Sequence, residues 1–250
     1  MSESNRSLSV IIATRNAEST LENCLRSVLA QSHPDIEIII VDGGSTDKTL
    51  SIVASFAATR SLIKWVSESD RGVGDAQWKG VVRATGDWIY FLGADDYIAS
   101  PQAIERIFRA SADHLSQADI LTGHVLYEDG RLYKSNRPWF LKVKNCIHSQ
   151  GALFKRSALL KRPFDANYRV YYDYDFNLWA YLNGRHFFHT DVLIGILGCN
   201  GLSDRPKWKH YREDMQVRRR HIGMIAGLVT AAFSIARYLR KVLRYRLLGH

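Results

Sequence analysis

Two adjacent carboxylates, Asp95 and Asp96, directly follow the apolar run 88–92 and a Gly-Ala pair. Such a pair is costly at the end of a buried strand unless another group neutralises it. A hard divalent cation, bound through one or two carboxylates and completed by phosphate oxygens, would do so. The alternative is that Asp95 or Asp96 caps a helix that begins near Pro101.

A second acidic turn begins at Asp42, in the sequence Asp-Gly-Gly-Ser-Thr-Asp after the apolar run 36–41. An acid at a strand end can hydrogen-bond a nucleoside, and glycines let a ligand approach the backbone. The alternative is a tight turn in which Ser45 or Asp47 caps the next helix. The glycine patterns of dinucleotide-binding folds and P-loops are both absent from the sequence.

Charged residues also cluster over residues 70–79 and at 173–175. The first segment offers carboxylates for sugar hydroxyls and Arg71 and Lys79 for phosphate charge, or else it is a surface loop with local ion pairs.

Asp173 and Asp175 lie two apart at the start of a predicted helix, so at most one of them faces a given crevice. Each is either an acid stabilised by the helix dipole or a catalytic base.

Alternating strands and helices must position these groups. The apolar patterning predicts strands over 8–13, 36–41, 63–66 and 88–92, with helices over 19–31, 48–58 and 75–84. This alternation indicates an α/β fold with a mostly parallel sheet and helices on both faces. Asp42, Asp70 and Asp95 then follow strand ends and should face one crevice. Further on, the sequence predicts a helix over 101–115, a hairpin over 120–133 and a helix from Asp173.

Positive charge is concentrated in the C-terminal segment. The net charge is +9, and residues 207–250 carry eleven Lys/Arg and two acids, so the rest of the chain is neutral. A neutral main domain argues against nucleic-acid binding. The apolar run 222–236 is short for a membrane span, which needs roughly 20 residues. Its basic flanks favour a helix lying on an anionic membrane surface, and the alternative is a helix packed on the main domain.

The cysteines and the N-terminus bear on location. The three cysteines lie far apart without a CxxC pair, and residues 1–7 are polar. These features predict a cytoplasmic protein without a secretory signal. The basic tail adds the expectation that the protein is peripheral at the inner membrane face.

Five segments occur in a fixed order: LSVIIATRN, IIIVDGGSTDKT, ESDRGVGDAQWKG, ATGDWIYFLGADD and YYDYDFNLW. Together they resemble the family 2 glycosyltransferases, in particular bacterial members that build surface polysaccharides. The resemblance covers residues 8–203. It implies a GT-A fold, an inverting mechanism and a nucleotide-diphospho-sugar donor, UDP-linked by family habit. It also implies Mn²⁺ or Mg²⁺ as cofactor and a hydroxyl acceptor on a glycan or lipid-linked saccharide.

The resemblance assigns roles to individual residues. Asp173 matches the general base, Asp95 matches the metal-binding acid of the DxD motif, and His148 and Gln150 lie on the acceptor side. For His148 an ordinary structural histidine is the alternative. The residues assigned to the donor are Ala13, Thr14, Arg15, Asp42, Asp70, Arg71, Lys79 and Asp96. A free carboxylate has a pKa near 4, so we expect Asp173 to be ionised without special tuning.

The sequence also departs from the family pattern, because Gly43, Gly93 and Tyr172 each stand where an acid is usual. These losses favour, as an alternative, a non-catalytic sugar-nucleotide-binding partner domain. A nucleotidyltransferase would need glycines near Arg15, which the sequence lacks. We expect a nucleotide-sugar domain over 1–205 and a basic helical tail over 206–250. A chain that ends near Lys207 should then remain soluble and active.

Overall fold

The computed structural model describes residues 6–165, 167–198 and 207–248, with side chains up to residue 243. Its strands are β1 (Leu8–Thr14), β2 (Ile36–Asp42), β3 (Ile63–Ser67), β4 (Trp88–Gly93), β5 (Tyr97–Ile98), β6 (Ile120–Tyr127), β7 (Leu132–Lys134), β8 (Ala152–Lys155) and β9 (Phe187–Leu197). Its helices are α1 (Leu21–Leu29), α2 (Thr49–Ala57), α3 (Val73–Arg83), α4 (Ala103–Ala110), α5 (Arg156–Leu159), α6 (Tyr172–Leu182), α7 (Trp208–Ile222) and α8 (Met224–Leu248).

The first four strands form a parallel unit in the order β3-β2-β1-β4. Their apolar runs are continuous because both faces are covered, and neighbouring Ile11 and Ile12 are each fully buried in a different cluster. The register aligns Thr14 with Asp42 and Ala13 with Gly93. The carboxyl ends of three strands therefore meet at one edge of the sheet, as predicted.

The second half of the sheet mixes strand directions. Strand β8 pairs antiparallel with β4 and β6, and β9 runs parallel to β6. The short strands β5 and β7 are antiparallel to β9 and β6. The hairpin of β6 and β7 was predicted, whereas β9 was not. The predicted α/β class is confirmed, and its parallel pairing is concentrated in the first four strands.

The C-terminal helices form a hairpin in which α7 packs on α6 and α8 packs on α7. Arg218 lies fully buried in this hairpin. Its guanidinium donates to Asp214 at 2.9 Å, to the Val143 carbonyl at 2.8 Å and to Ser234 at 2.6 Å. A buried ion pair is tolerated when such hydrogen bonds satisfy it, so this network fixes the hairpin against the rest of the molecule.

The expected domain boundary at 205/206 lies outside the described residues, and the division of the chain there stays a prediction. Within the described ranges, every helix is too short or too polar to cross a bilayer.

Candidate active site

The ends of β1 and β2 are joined by main-chain contact. The amide of Gly43 donates to the carbonyl oxygen of Thr14 at 2.9 Å. Thr14 is buried, and its hydroxyl has no hydrogen-bond partner among the described residues. Ala13 lies beside it, whereas Arg15 is exposed and its side chain lies next to Gly43. A buried hydroxyl without a partner at the end of a sheet is a natural contact for a polar ligand.

Asp42 is fully buried and organises the turn that follows it. Its carboxylate accepts hydrogen bonds from the amides of Gly44 at 3.0 Å and Ser45 at 2.9 Å, and from the Ser67 hydroxyl at 2.7 Å. Burial acts to raise the pKa of Asp42, but these hydrogen bonds, led by those from Ser45, lower it on balance. Asp42 therefore shapes the turn at the crevice, and its direct contact with a base stays a prediction.

The segment after β3 forms the local ion pairs that the sequence left as an alternative. Arg71 lies 3.2 Å from Asp75, and Lys79 lies 3.4 Å from the same carboxylate. Asp70 instead turns inward, accepts from the Gly72 amide at 2.8 Å and lies against Gly43. Asp70 therefore lies at the turn that follows β2, whereas the cations of Arg71 and Lys79 are both paired with Asp75 in the first turn of α3.

Asp95 and Asp96 lie just beyond β4 in different environments. Asp95 is exposed, whereas Asp96 is buried and accepts from the Gly198 amide at 2.9 Å and from the Gln150 side-chain amide. Burial, and then the charge of Asp95, raise the pKa of Asp96 to about 7. Helix α4 begins at Ala103 with Gln102 before it, so neither acid caps that helix. The capping alternative is wrong.

These two acids suit a hard cation. Asp95 offers an exposed carboxylate beyond the end of β4, and the side-chain amide of Gln150 holds the neighbouring Asp96. One or two carboxylates completed by phosphate oxygens is the donor set that Mg²⁺ favours. The residues therefore fit a divalent metal bound together with a diphosphate.

Asp173 lies in the first turn of α6. One carboxylate oxygen accepts from the Tyr174 amide at 2.7 Å, and the other accepts from the Asn145 side chain at 3.2 Å. Burial raises the pKa of Asp173 to about 7, although these hydrogen bonds act in the opposite direction. The expectation of an ordinary pKa near 4 is wrong, because the sequence does not reveal how far the group is desolvated.

Asp175, two residues on, points elsewhere and is almost fully buried. It accepts from Arg162 at 2.6 Å and lies 2.7 Å from His221 of α7. Burial would raise the pKa of Asp175, but the hydrogen bonds from His221 and Arg162 lower it on balance. The two acids therefore have different partners, and Asp175 is a structural anion.

The segment 145–150 connects the two acidic centres. Asn145 contacts Asp173 at one end, and Gln150 contacts Asp96 at the other. Between them, Nδ1 of His148 accepts a hydrogen bond from the backbone amide of Gln150 at 3.3 Å. Burial lowers the pKa of His148 to about 4. His148 is therefore neutral at pH 7 and acts as an acceptor inside this segment.

The turn after β2 and the start of α3 pack tightly against their neighbours. A Cβ atom on Gly43 would overlap the Asp70 carboxylate, and one on Gly74 would lie 2.7 Å from the ring of Tyr172. Glycine at 74 thus lets the first turn of α3 pack on the start of α6. Strand pairing and these contacts link all five sequence segments singled out above.

Two contributors could not be identified from the sequence. Asn145 lies in an irregular segment without periodicity. Glu213 of α7 accepts from the amides of Arg169, Val170 and Tyr171 at 3.1, 2.9 and 3.3 Å, just before the helix that carries Asp173. The sequence does not reveal either contact, because Asn145 and Glu213 are far from their partners along the chain.

Comparison with known proteins gives the following relationships. The family model described as glycosyl transferase family 2 matches residues 9–170. A PGL/p-HBAD biosynthesis glycosyltransferase of Mycobacterium bovis (strain BCG / Pasteur 1173P2) is 36% identical over 185 residues, which is 70% of each chain.

Solved structures are similar at lower sequence identity. S. aureus TarS 1-349 in complex with UDP has a TM-score of 0.72 at 19% identity, with 97% of this chain and 75% of that chain covered. The Pyrobaculum calidifontis mannosyltransferase PcManGT, in complex with GDP-Man and Mn²⁺, has a TM-score of 0.68 at 17% identity, with coverage of 97% and 76%. These similarities concern the fold, and they confirm the GT-A-like architecture predicted from the sequence.

Proposed function

Because the chain belongs to glycosyl transferase family 2, we propose that this glycosyltransferase moves a sugar from a nucleotide-diphospho-sugar to a hydroxyl with inversion. The donor is UDP-linked, and the acceptor is a glycan or a lipid-linked saccharide. The observation that carries the proposal is that the segment 145–150 contacts both acidic centres, Asp173 through Asn145 and Asp96 through Gln150.

Asp173 is the general base. With a pKa of about 7, its carboxylate is matched to neutral pH, where a base combines sufficient ionisation with sufficient proton affinity. The Asn145 amide orients it by donating at 3.2 Å, and a deprotonated carboxylate strengthens that bond. Asp173 takes the acceptor's proton as the acceptor oxygen attacks the anomeric carbon and the bond to the diphosphate breaks. One displacement inverts the anomeric configuration.

The opposite side of the crevice binds the donor. Three groups are candidates for contacts with the nucleoside and the sugar. They are the exposed Arg15, Asp70 and the Thr14 hydroxyl, which has no hydrogen-bond partner in the part of the chain that the structure describes. Asp95, supported by Asp96, would hold Mn²⁺ or Mg²⁺. That ion would neutralise negative charge on the departing diphosphate. The mannosyltransferase PcManGT, which shares the fold, was solved with GDP-Man and Mn²⁺.

Helix α8 supports membrane association through its outer face. Ile225, Leu228 and Val229 are 82%, 68% and 71% exposed, and Leu239 and Leu243 continue this apolar face at helical spacing. Exposed arginines at 212, 219 and 240 lie on the same helical hairpin. An exposed apolar face with basic neighbours suits the interface of an anionic leaflet. We therefore propose peripheral binding at the inner membrane face, where a lipid-linked acceptor would be presented.

The enzymatic proposal is tested by incubating the full chain with Mn²⁺ and a panel of UDP-, GDP- and dTDP-sugars. We expect one donor to be hydrolysed slowly with water as acceptor, and NMR should detect the inverted anomer first. Retention of configuration would contradict Asp173 as a base in a single displacement. Donor binding without hydrolysis or transfer would instead favour the non-catalytic alternative.

The membrane proposal is tested by flotation with phosphatidylglycerol vesicles. Full-length protein should float at low salt and less so at high salt, because part of the attraction is electrostatic. A variant with Leu228→Glu and Val229→Glu should stay in solution, since both residues are exposed and the fold should tolerate the change. Equal flotation of the two proteins would rule out this face of α8 as the membrane-binding surface.

A further inference from the structure

Three potential metal ligands converge where β6 meets β9. They are His124, His189 and Asp191, and one ligand atom from each lies within 4.8 Å of the others. Nε2 of His124 lies 3.3 Å from a carboxylate oxygen of Asp191, and Nε2 of His189 lies 3.5 Å from the same oxygen. Both imidazoles therefore face one carboxylate.

The two nitrogen–oxygen distances match a tetrahedral metal site. With metal–ligand bonds of roughly 2.0–2.1 Å, neighbouring ligand atoms of tetrahedral zinc lie about 3.4 Å apart. Imidazole nitrogen favours Zn²⁺ and its transition-metal neighbours, whereas the carboxylates at the crevice favour Mg²⁺ or Mn²⁺. The two sites therefore differ in the class of metal that they select.

The contacts of the two ring nitrogens of His189 suit a metal ligand. Its Nδ1 lies 3.2 Å from the Thr122 hydroxyl, and its Nε2 is buried without a hydrogen-bond partner among the described residues. A ligating histidine usually has its other nitrogen fixed in this way, which sets the tautomer and the ring orientation. Thr122 is itself held, since its carbonyl accepts from the Thr190 hydroxyl at 3.1 Å.

An irregularity of the sheet brings the third ligand to the histidines. Thr122 pairs with His189 and His124 pairs with Leu193, so one residue of β6, Gly123, faces the three residues 190–192 of β9. A Cβ atom on Gly123 would lie 2.5 Å from the Val192 carbonyl oxygen, so only glycine lets this bulge pack. Bulges of this kind commonly re-aim a side chain.

We propose that His124, His189 and Asp191 bind a zinc ion, which clamps the β9 bulge to β6 and keeps a fourth position for water. The alternative is a pair of simple His–Asp contacts without a metal. The three ligands are not among the residues assigned to the donor, the acceptor or catalysis, so zinc binding stands or falls separately from the proposed transfer reaction.

The test uses tag-free, full-length protein stripped of metal and titrated with Zn²⁺ by calorimetry. We expect one site per chain and a higher melting temperature with Zn²⁺. Asp191→Asn should weaken binding at least about tenfold, and this variant should fold because the Asp191 side chain is 96% exposed. Thr122→Val, which keeps the shape but removes the hydroxyl, should weaken it by roughly 10–100-fold.

Two further measurements identify the site. Asp95→Asn, at the crevice, should leave Zn²⁺ affinity unchanged. Co²⁺ in place of Zn²⁺ should give the strong visible absorption of a tetrahedral site in wild type and lose it in His189→Ala. The proposal is overturned if the wild type takes up no Zn²⁺. It also fails if Asp191→Asn and His189→Ala bind Zn²⁺ as the wild type does, or if Asp95→Asn alone abolishes binding.

Discussion

His221 on α7 lies 2.7 Å from the buried carboxylate of Asp175 on α6. The C-terminal segment therefore contacts the helix that carries Asp173. Glu213 adds a second connection through three backbone amides before that helix. The expectation that a chain ending near Lys207 stays active has to be revised, because the cut would remove both contacts.

Replacing His221 with alanine should lower the free energy of unfolding by roughly 1–3 kcal/mol, because Asp175 loses one of its hydrogen-bond partners. Urea unfolding at neutral pH measures the change. Arg219→Ala is the matched control, since Arg219 is exposed on the same helix and should have little effect. Equal midpoints for the two variants would show that the His221 contact does not stabilise the fold.

Asp173→Asn should reduce turnover by about 10²-fold or more, because the acceptor loses its general base. Donor affinity should stay within about twofold of wild type, since the base acts on the acceptor. Asp175→Asn is the comparison: it should lower the stability by about 3–5 kcal/mol by breaking a buried ion pair. Near-normal turnover of Asp173→Asn would exclude Asp173 as the general base.

The raised pKa of Asp173 predicts two pH effects. Turnover should rise with pH through about 7, as the carboxyl group loses its proton and becomes a base. Stability should fall as pH rises from about 4 to about 7, because over that range the folded state holds a proton that the unfolded chain has released. Between pH 4 and pH 7, the slope of stability against pH should be less negative in Asp173→Asn than in the wild type. Identical slopes would contradict the raised pKa.

Asp95→Asn should abolish the increase in UDP affinity that Mn²⁺ produces, because the exposed carboxylate of the metal site is lost. Asp42→Ala should weaken UDP binding with and without Mn²⁺, since the turn at residues 43–45 loses its acceptor. Calorimetry with UDP measures both effects. Equal stimulation by Mn²⁺ in wild type and Asp95→Asn would refute the assignment of the metal.

Glu213→Ala should lower turnover several-fold with little change in donor affinity, because it frees three amides before the helix that carries Asp173. Glu213→Gln keeps an acceptor oxygen and should recover part of the loss. Measuring kcat together with the donor dissociation constant separates this positioning effect from general unfolding. An equal loss in both variants would argue against a role for the acceptor oxygen.

Much of the parallel half of the fold follows from the sequence. The runs that form β1, β2 and β4 are continuous and apolar because helices cover both faces of these strands. The ends of such strands are marked by sharp changes to Gly, Asp and Ser. Asp42, Asp70 and Asp95 could therefore be assigned to one edge from their positions in the sequence alone.

The second half could not be predicted in the same way. Strand β9 is interrupted by His189, Thr190 and Asp191, which break the apolar pattern where the strand bulges. The contacts of Asn145 and Gln150 come from an irregular segment whose position depends on tertiary packing. The pKa of Asp173 depends on desolvation by residues that are distant in sequence.

Gly93, Asp96 and Gln150 share one small space. A Cβ atom at residue 93 would overlap the Asp96 carboxylate and lie 2.9 Å from the amide nitrogen of Gln150. Any side chain at residue 93 therefore has to displace the ends of these neighbouring side chains, so substitutions at residues 93 and 150 should affect Asp96 in a coupled, non-additive way.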